Sequence, residues 1–225
     1  MKKKRILVVC GGTSNERAIS LKSGKACSNA IKKLKYKVLN FDPAKEDFKK
    51  IKKYKADLIF NALHGRDGED GIAQSYFEYF KIPYTHSGIL SSMSSMDKII
   101  SKKVFRKNKI RTPNYIELTP INYINILKEK YILQASLNYP LILKPSNEGS
   151  SIGVKICKNF TELKKNVNKL IKNYKTLVVE NFIGGQEIQV AVINGKSLGA
   201  IELKPKRKFY DYKAKYSKSA QTEHL

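Results

Sequence analysis

The 225-residue chain has no tryptophan, only three cysteines and only six arginines. The scarcities of cysteine and of arginine each exclude something. Cys10, Cys27 and Cys157 are odd in number, far apart in sequence and lack a CxxC pair. This argues against a disulfide framework or a zinc site and for free thiols in a reducing cytoplasm. No apolar run approaches the roughly 20 residues of a membrane span. The basic start, Met-Lys-Lys-Lys-Arg, resembles the head of a signal peptide. However, Ile6 to Cys10 is too short for its apolar core, and Gly11-Gly12 ends it. Acidic residues are also few, 19 against 44 Lys and Arg, giving a net charge of +25. Such a charge invites a nucleic-acid reading. The kind of base argues against it, with 38 of the 44 being lysine, beside 24 Ile and 16 Asn. Arginine makes the bidentate contacts to phosphate and guanine, and it is what this chain lacks. A solvated basic surface on an AT-biased sequence is the better reading.

What is present is patterned. Hydrophobic residues make up 41% of the chain, enough for a buried core. Arg5–Val9, Tyr36–Phe41 and Asp57–Leu63 read as strands, with a helix over Glu16–Leu34 and a weaker one over Lys45–Tyr54. Ile19, Ala26, Ala30 and Leu34 are expected on the first helix's inner side. A further helix, Gly71–Phe80, leads to a short strand at Ile82–Thr85. Alternating strands and helices predict a parallel sheet with right-handed crossovers, whose ligands bind beyond the carboxyl ends of the strands. Gly11-Gly12 and His64-Gly65 fall at those ends.

The pattern changes near Asp97. A helix to about Asn108 is followed by strands Pro140–Pro145 and Ile152–Cys157 around a glycine-serine loop. Phe160, Leu163, Val167, Leu170, Ile171 and Tyr174 lie on one helix face, and Asn159 with Glu162 completes a capping-box pattern. Thr176–Val179 is a strand. Ile188–Ile193 and Ser197–Leu203 form a hairpin across Asn194-Gly195. The expected domains are 1–96, 97–180 and 181–225.

Several segments carry chemistry. Lys144 precedes Asn147-Glu-Gly-Ser-Ser-Ile-Gly153, where Gly149 lets backbone amides approach an anion and Ser150 and Ser151 add hydroxyls. A lysine entering such a loop favours phosphate over an ordinary hairpin. Gly11-Gly12-Thr-Ser-Asn-Glu16-Arg17 lacks the third glycine of a dinucleotide fingerprint. Glu16 either complements the helix dipole, which local reasoning favours, or holds an ammonium group. His64 is either structural or a partner for a substrate carboxylate. Asp67, Glu69 and Asp70 lack the spacing of a calcium loop. Glu180 and Glu187, placed beyond a strand end, can accept from an adenine amino group and ribose hydroxyls; a solvent-facing turn accounts for them equally well. Phe209-Tyr-Asp-Tyr-Lys-Ala-Lys215-Tyr216 reads as a lid with an aromatic platform, or as a surface loop.

Together these motifs resemble the D-alanine–D-alanine ligases of the ATP-grasp superfamily. The resemblance rests on Gly-Gly-x-Ser-x-Glu-Arg at 11–17, Ser-Leu-x-Ser-Gly at 20–24 and Leu-His-Gly-x-x-Gly-Glu-Asp-Gly at 63–71. It continues through Met-Asp-Lys at 96–98, Lys-Pro-Ser-x-Glu-Gly-Ser-Ser-x-Gly at 144–153 and Phe-Tyr-Asp-Tyr-x-Ala-Lys-Tyr at 209–216. It implies an α/β fold, a parallel-sheet substrate domain followed by ATP-grasp subdomains, the last incomplete. ATP lies between two sheets in such enzymes. One D-alanine carboxylate is phosphorylated, and the amine of a second D-alanine then attacks it, in peptidoglycan precursor and cell-wall synthesis. On that model Lys98 and Lys144 hold the α/β-phosphates, and Gly149, Ser150 and Ser151 close over them. Glu180 and Glu187 bind adenine and ribose, and Phe209 packs on the base. Glu16 takes the first ammonium, and His64 lies near its carboxylate. Ser150 and Tyr216 tie the loops to Glu16, and Lys215 contacts the transferring phosphate.

The resemblance also implies a cytoplasmic homodimer with two Mg²⁺ ions, or Mn²⁺. The metal ligands and a transition-state arginine are expected beyond Leu225, so the 225 residues alone are not expected to turn over. Lys213 and His86 stand where an acidic residue and a glycine are common. A D-alanine–D-lactate ligase, another carboxylate–amine ligase, or an inactive fragment with residual nucleotide binding are the alternatives; Tyr216 favours the dipeptide.

Overall fold

The computed structural model describes residues 4–206 and 222–225. The chain divides into two compact units, Met1–Val104 and Phe105–Leu225.

The first unit is built on a three-stranded parallel sheet of order β2-β1-β3, with β1 at Arg5–Val9, β2 at Lys37–Phe41 and β3 at Leu58–Asn61. Its central strand is buried from Ile6 to Val9, as a strand covered on both faces must be. Helix α1 (Arg17–Lys33) makes the first crossover, a 3₁₀ turn (Phe48–Tyr54) the second, and α2 (Ile72–Tyr79) follows β3. The strand expected at Ile82–Thr85 is reduced to a single parallel bridge between Ile59 and Tyr84. Pro83 has no N–H to extend a ladder. Two helices then follow, α3 (Ile89–Met96) and α4 (Lys98–Lys107). The α3 segment carries four serines in eight residues and gives little apolar signal.

The inner face of α1 is not the expected one. Ser20, Gly24 and Ser28 are buried, whereas Ala26, Ala30 and Leu34 are exposed, Leu34 at 68%. The reason is close approach. A Cβ on Gly24 would stand 2.4 Å from that of Cys10 at the end of the central strand. Only small side chains fit, and the buried hydroxyls stay satisfied. Ser20 donates to the Ala62 carbonyl, and Ser28 donates to Asn40.

The second unit holds a four-stranded antiparallel sheet of order β4-β7-β5-β6. Its strands are β4 (Tyr115–Leu118), β5 (Leu141–Pro145), β6 (Lys155–Cys157) and β7 (Leu177–Asn181). Helices α5 (Tyr123–Ile126), α6 (Glu129–Gln134) and α7 (Phe160–Leu170) complete it. Leu118, Leu141, Leu143, Leu177 and Val179 bury one sheet face against Leu163, Val167 and Leu170 of α7. The expected helix face is therefore observed, with Phe160 and Tyr174 at its margin. Asn159 caps α7 by accepting from the Glu162 N–H at 2.9 Å. Glu162 reaches back to the Lys158 N–H, one residue before the cap.

A second sheet in this unit has the order β10-β9-β8. The hairpin of β8 (Glu187–Ile193) and β9 (Lys196–Lys204) turns at Asn194 and Gly195, both with positive φ, as a type I′ turn demands. The two-residue strand β10 (Glu223–His224) pairs with β9.

Candidate active site

At the carboxyl ends of β1 and β3 two loops clasp each other. Ser14 donates to the His64 carbonyl at 2.7 Å, and Thr13 donates to Asp67 at 3.1 Å. Ser20 receives the Gly11 N–H while donating to Ala62, so one buried hydroxyl of α1 ties both strand ends to the helix. The clasp buries Glu16, which is 4% exposed. Glu16 stands at the start of α1, where its charge complements the helix dipole. It is the N-cap of α1, yet its side chain makes no capping hydrogen bond. The carboxylate instead lies against Gly65, where an added Cβ would stand 2.8 Å from Oε2.

His64 is held from both ring nitrogens. Nδ1 is 3.5 Å from the Glu69 carboxylate, and Nε2 is 3.1 Å from the Ser23 hydroxyl. The hydrogen bond to Glu69 raises the pKa of His64 above its ordinary value against the opposing effect of burial, and the charges of Glu69 and Glu16 add to the rise. His64 and Glu69 face a cavity of 380 Å³, with Ser23, Gln74 and His86 also on its wall. His86 occupies the left-handed region, φ 80°, which explains why glycine suits that position.

Asp97 accepts from the N–H groups of Ile99 and Ile100 and so caps α4, setting Lys98 in its first turn.

In the second unit the sheet face opposite α7 carries Lys144 and Glu180. The register pairs Ile142 with Glu180 and Lys144 with Val178, so the two charges lie diagonally on adjacent strands. They form an ion pair, with the lysine side chain 21% exposed and the carboxylate 8%. Glu180 is thus inside β7, not beyond its end as the sequence suggested. The strand runs to Asn181, paired with β5 on one side and on the other with β4, which the sequence reading missed. Loop 146–153 follows Lys144 and holds Ser150, Ser151 and Gly153 at positive φ. Non-glycine residues in that region cost about 1 kcal/mol each and concentrate at binding sites. Glu187 opens β8, exposed, in the other sheet of this unit. Phe209, Lys215 and Tyr216 lie outside the described residues.

Among the described residues no three His, Cys, Asp or Glu side chains converge to hold a metal. No helix among them is long and apolar enough to cross a membrane.

A parallel-sheet unit with an acid and an imidazole at its strand ends is thus followed in the chain by an antiparallel-sheet unit with a lysine leading into a glycine-serine loop, an α/β arrangement that the comparisons place among ligases. The profile of the D-ala D-ala ligase C-terminus matches residues 104–225, and that of the D-ala D-ala ligase N-terminus matches 40–87. The D-alanine–D-alanine ligase of Pelagibacter ubique (strain HTCC1062) is 52% identical over 223 residues, 99% of this chain and 72% of its own. The crystal structure of the Bacillus anthracis D-alanine–D-alanine ligase superposes with a TM-score of 0.82 at 36% identity, covering 99% of this chain and 71% of the other. The ATP complex of the Bacillus anthracis enzyme gives 0.80 at 32% identity, covering 99% and 70%. The chain belongs to the D-alanine–D-alanine ligase family, and its fold is that of these ATP-dependent ligases.

Proposed function

We propose that this protein joins two D-alanines at the expense of ATP, for peptidoglycan precursor synthesis in the cytoplasm. The observation that carries the reading is the buried Glu16 beside the doubly held His64 at the strand ends. A carboxylate and a raised-pKa imidazole are complementary to the two charges of an amino-acid zwitterion. Glu16 receives the ammonium of the first D-alanine, and His64 faces its carboxylate. That carboxylate attacks the γ-phosphorus of ATP, and ADP leaves. The neutral amine of the second D-alanine then attacks the acyl carbon, and phosphate departs. Lys98 and Lys144 neutralise phosphate charge, and Gly149, Ser150 and Ser151 close over it. Glu180 and Glu187 take adenine and ribose, with Phe209 against the base. Ser150 and Tyr216 connect the loops to Glu16, and Lys215 meets the transferring phosphate.

Mg²⁺ is the metal such a reaction uses. The described residues offer it no ligand set, and no step here is routed through it. Residues 1–96 form the substrate domain, 97–180 the central ATP-grasp subdomain and 181–225 the start of the next, in a homodimeric enzyme.

Isothermal titration tests this reading. Saturable binding of D-alanine but not L-alanine, and of an unreactive ATP analogue, supports it. Absence of D-alanine binding, or equal affinity for both enantiomers, overturns it.

A further inference from the structure

The loop that carries Glu16 is held from its outer side by a pair of charges for which the proposed mechanism has no direct use. Asp42, just past β2, accepts from Arg17 at both oxygens, at 3.0 and 2.7 Å. Its Oδ1 also accepts the N–H groups of Gly12 and Ala44. Arg17 returns a third hydrogen bond to the Gly12 carbonyl at 2.7 Å. Gly12 is therefore gripped by both its N–H and its C=O.

The backbone there needs such a grip. Gly11 and Gly12 stand at φ 93° and 72°, two successive left-handed residues outside any ladder. Glycine is the residue with most freedom to leave such a conformation. Around Gly11 the fit is tight: an added Cβ would stand 2.5 Å from Asp42 Oδ1 and 2.8 Å from the Arg17 guanidinium. Four residues beyond Gly12 comes Glu16, and Arg17 itself begins α1. The clamp fixes the near end of this short span, and the Ser14 and Thr13 contacts to the 63–68 loop fix its middle.

We propose that Arg17 and Asp42 are positioning residues of the amino-acid site, setting the Gly11–Glu16 loop so that the Glu16 carboxylate meets the substrate ammonium. This rests on the assignment of Glu16 to that ammonium. The pair remains ionised across the working range. The Arg17 hydrogen bond, helped by the Gly12 and Ala44 N–H groups, holds the Asp42 carboxyl at about 2. A bidentate guanidinium is needed because it must serve Asp42 and the Gly12 carbonyl together, which a lysine ammonium cannot do with the same fork geometry.

The test compares the unaltered chain with Arg17→Ala, Arg17→Lys and Asp42→Ala. D-alanine and ATP-analogue affinities are measured by titration, and hydrogen exchange is followed over residues 11–16. The alanine variants should weaken D-alanine binding at least tenfold and leave analogue binding within twofold. They should also speed exchange at the 11–16 amides, with Arg17→Lys recovering part of both losses. Unchanged D-alanine affinity in folded alanine variants overturns the proposal, as does a parallel loss of analogue binding, which would mark general destabilisation. Should the unaltered chain bind no D-alanine, the functional reading fails first. The exchange measurement still decides on the clamp, because unchanged protection of 11–16 in Arg17→Ala refutes it.

Discussion

The Lys144–Glu180 pair lends itself to a double-mutant cycle whose outcome follows from burial. Lys144→Met removes the ammonium and leaves a carboxylate only 8% exposed without it. Breaking a buried pair in this way costs about 3–5 kcal/mol. Glu180→Gln is milder, because the amide oxygen still accepts from Lys144 and the lysine, 21% exposed, can reach water; about 1–2 kcal/mol is expected. The double variant Lys144→Met/Glu180→Gln removes both charges and should be more stable than Lys144→Met alone by about 1–3 kcal/mol. Urea unfolding, followed by circular dichroism, reads all four proteins. Additive single effects would refute the reasoning, since they would mean that the two charges do not depend on each other. A second arm connects the pair to function. An ATP analogue should raise the midpoint of the unaltered chain and of Glu180→Gln more than that of Lys144→Met, because only the last lacks the ammonium assigned to phosphate. Equal increments would remove Lys144 from the nucleotide site.

Three further outcomes are expected. His86→Gly should stabilise the first unit by about 0.5–1 kcal/mol, because relief of a left-handed backbone outweighs the exposed Thr85 hydrogen bond and the edge contact with Phe60 that the imidazole gives up; a fall in melting temperature would argue that the imidazole does more than tolerate its place. The folded pKa of His64 is raised, so the stabilising pairing with Glu69 is fully present below about 6.5 and is lost as pH rises through the folded value. Proton NMR of the His64 ring should show its inflection move down in Glu69→Gln, and an unmoved inflection would discard Glu69 as the cause. Asn159→Ala should cost about 1 kcal/mol, as loss of an N-cap does, measured by urea unfolding.

How much of this was legible beforehand depended on the range of the interaction. The three strands of the parallel sheet, the α7 face and the Asn194-Gly195 turn follow from local periodicity and turn chemistry, and the structure keeps each within a residue or two. Strand β4 escaped because Tyr115–Leu118 is only four residues long and has no period to read; its pairing with β7 supplies what propensity does not. The inner face of α1 was misread for a related reason. Apolar side chains mark the face that seeks burial, but here the packing distance to Cys10 selects Ser20, Gly24 and Ser28 instead.

The site divides along the same line. Sequence motifs named Glu16, His64, Lys144 and Glu180, and the structure gives each an environment the motifs did not contain. Glu16 sits at the N-cap but makes no capping hydrogen bond, Glu180 is not in a turn, and Lys144 has a carboxylate partner. Arg17 belongs to the Gly-Gly-x-Ser-x-Glu-Arg motif and Asp42 to none, and no motif shows their pairing because it spans 25 residues and two loops. The physical consequence is a difference in what each unit must do to receive a ligand. In the first unit clasped loops hold the acid and imidazole in place, so binding there loses little to reordering. In the second, an anion that takes the Lys144 ammonium must exchange with Glu180, so its gain is reduced by the loss of an existing pair. On that reasoning D-alanine affinity should be insensitive to Glu180→Gln, whereas analogue affinity should respond to it. Removing Glu180 takes away both a competitor for Lys144 and the acceptor assigned to adenine, so an analogue lacking the base, inorganic triphosphate, should gain affinity in Glu180→Gln while ATP analogues gain less or lose. Titration with both ligands separates the two effects, and identical responses would mean that Glu180 serves Lys144 alone.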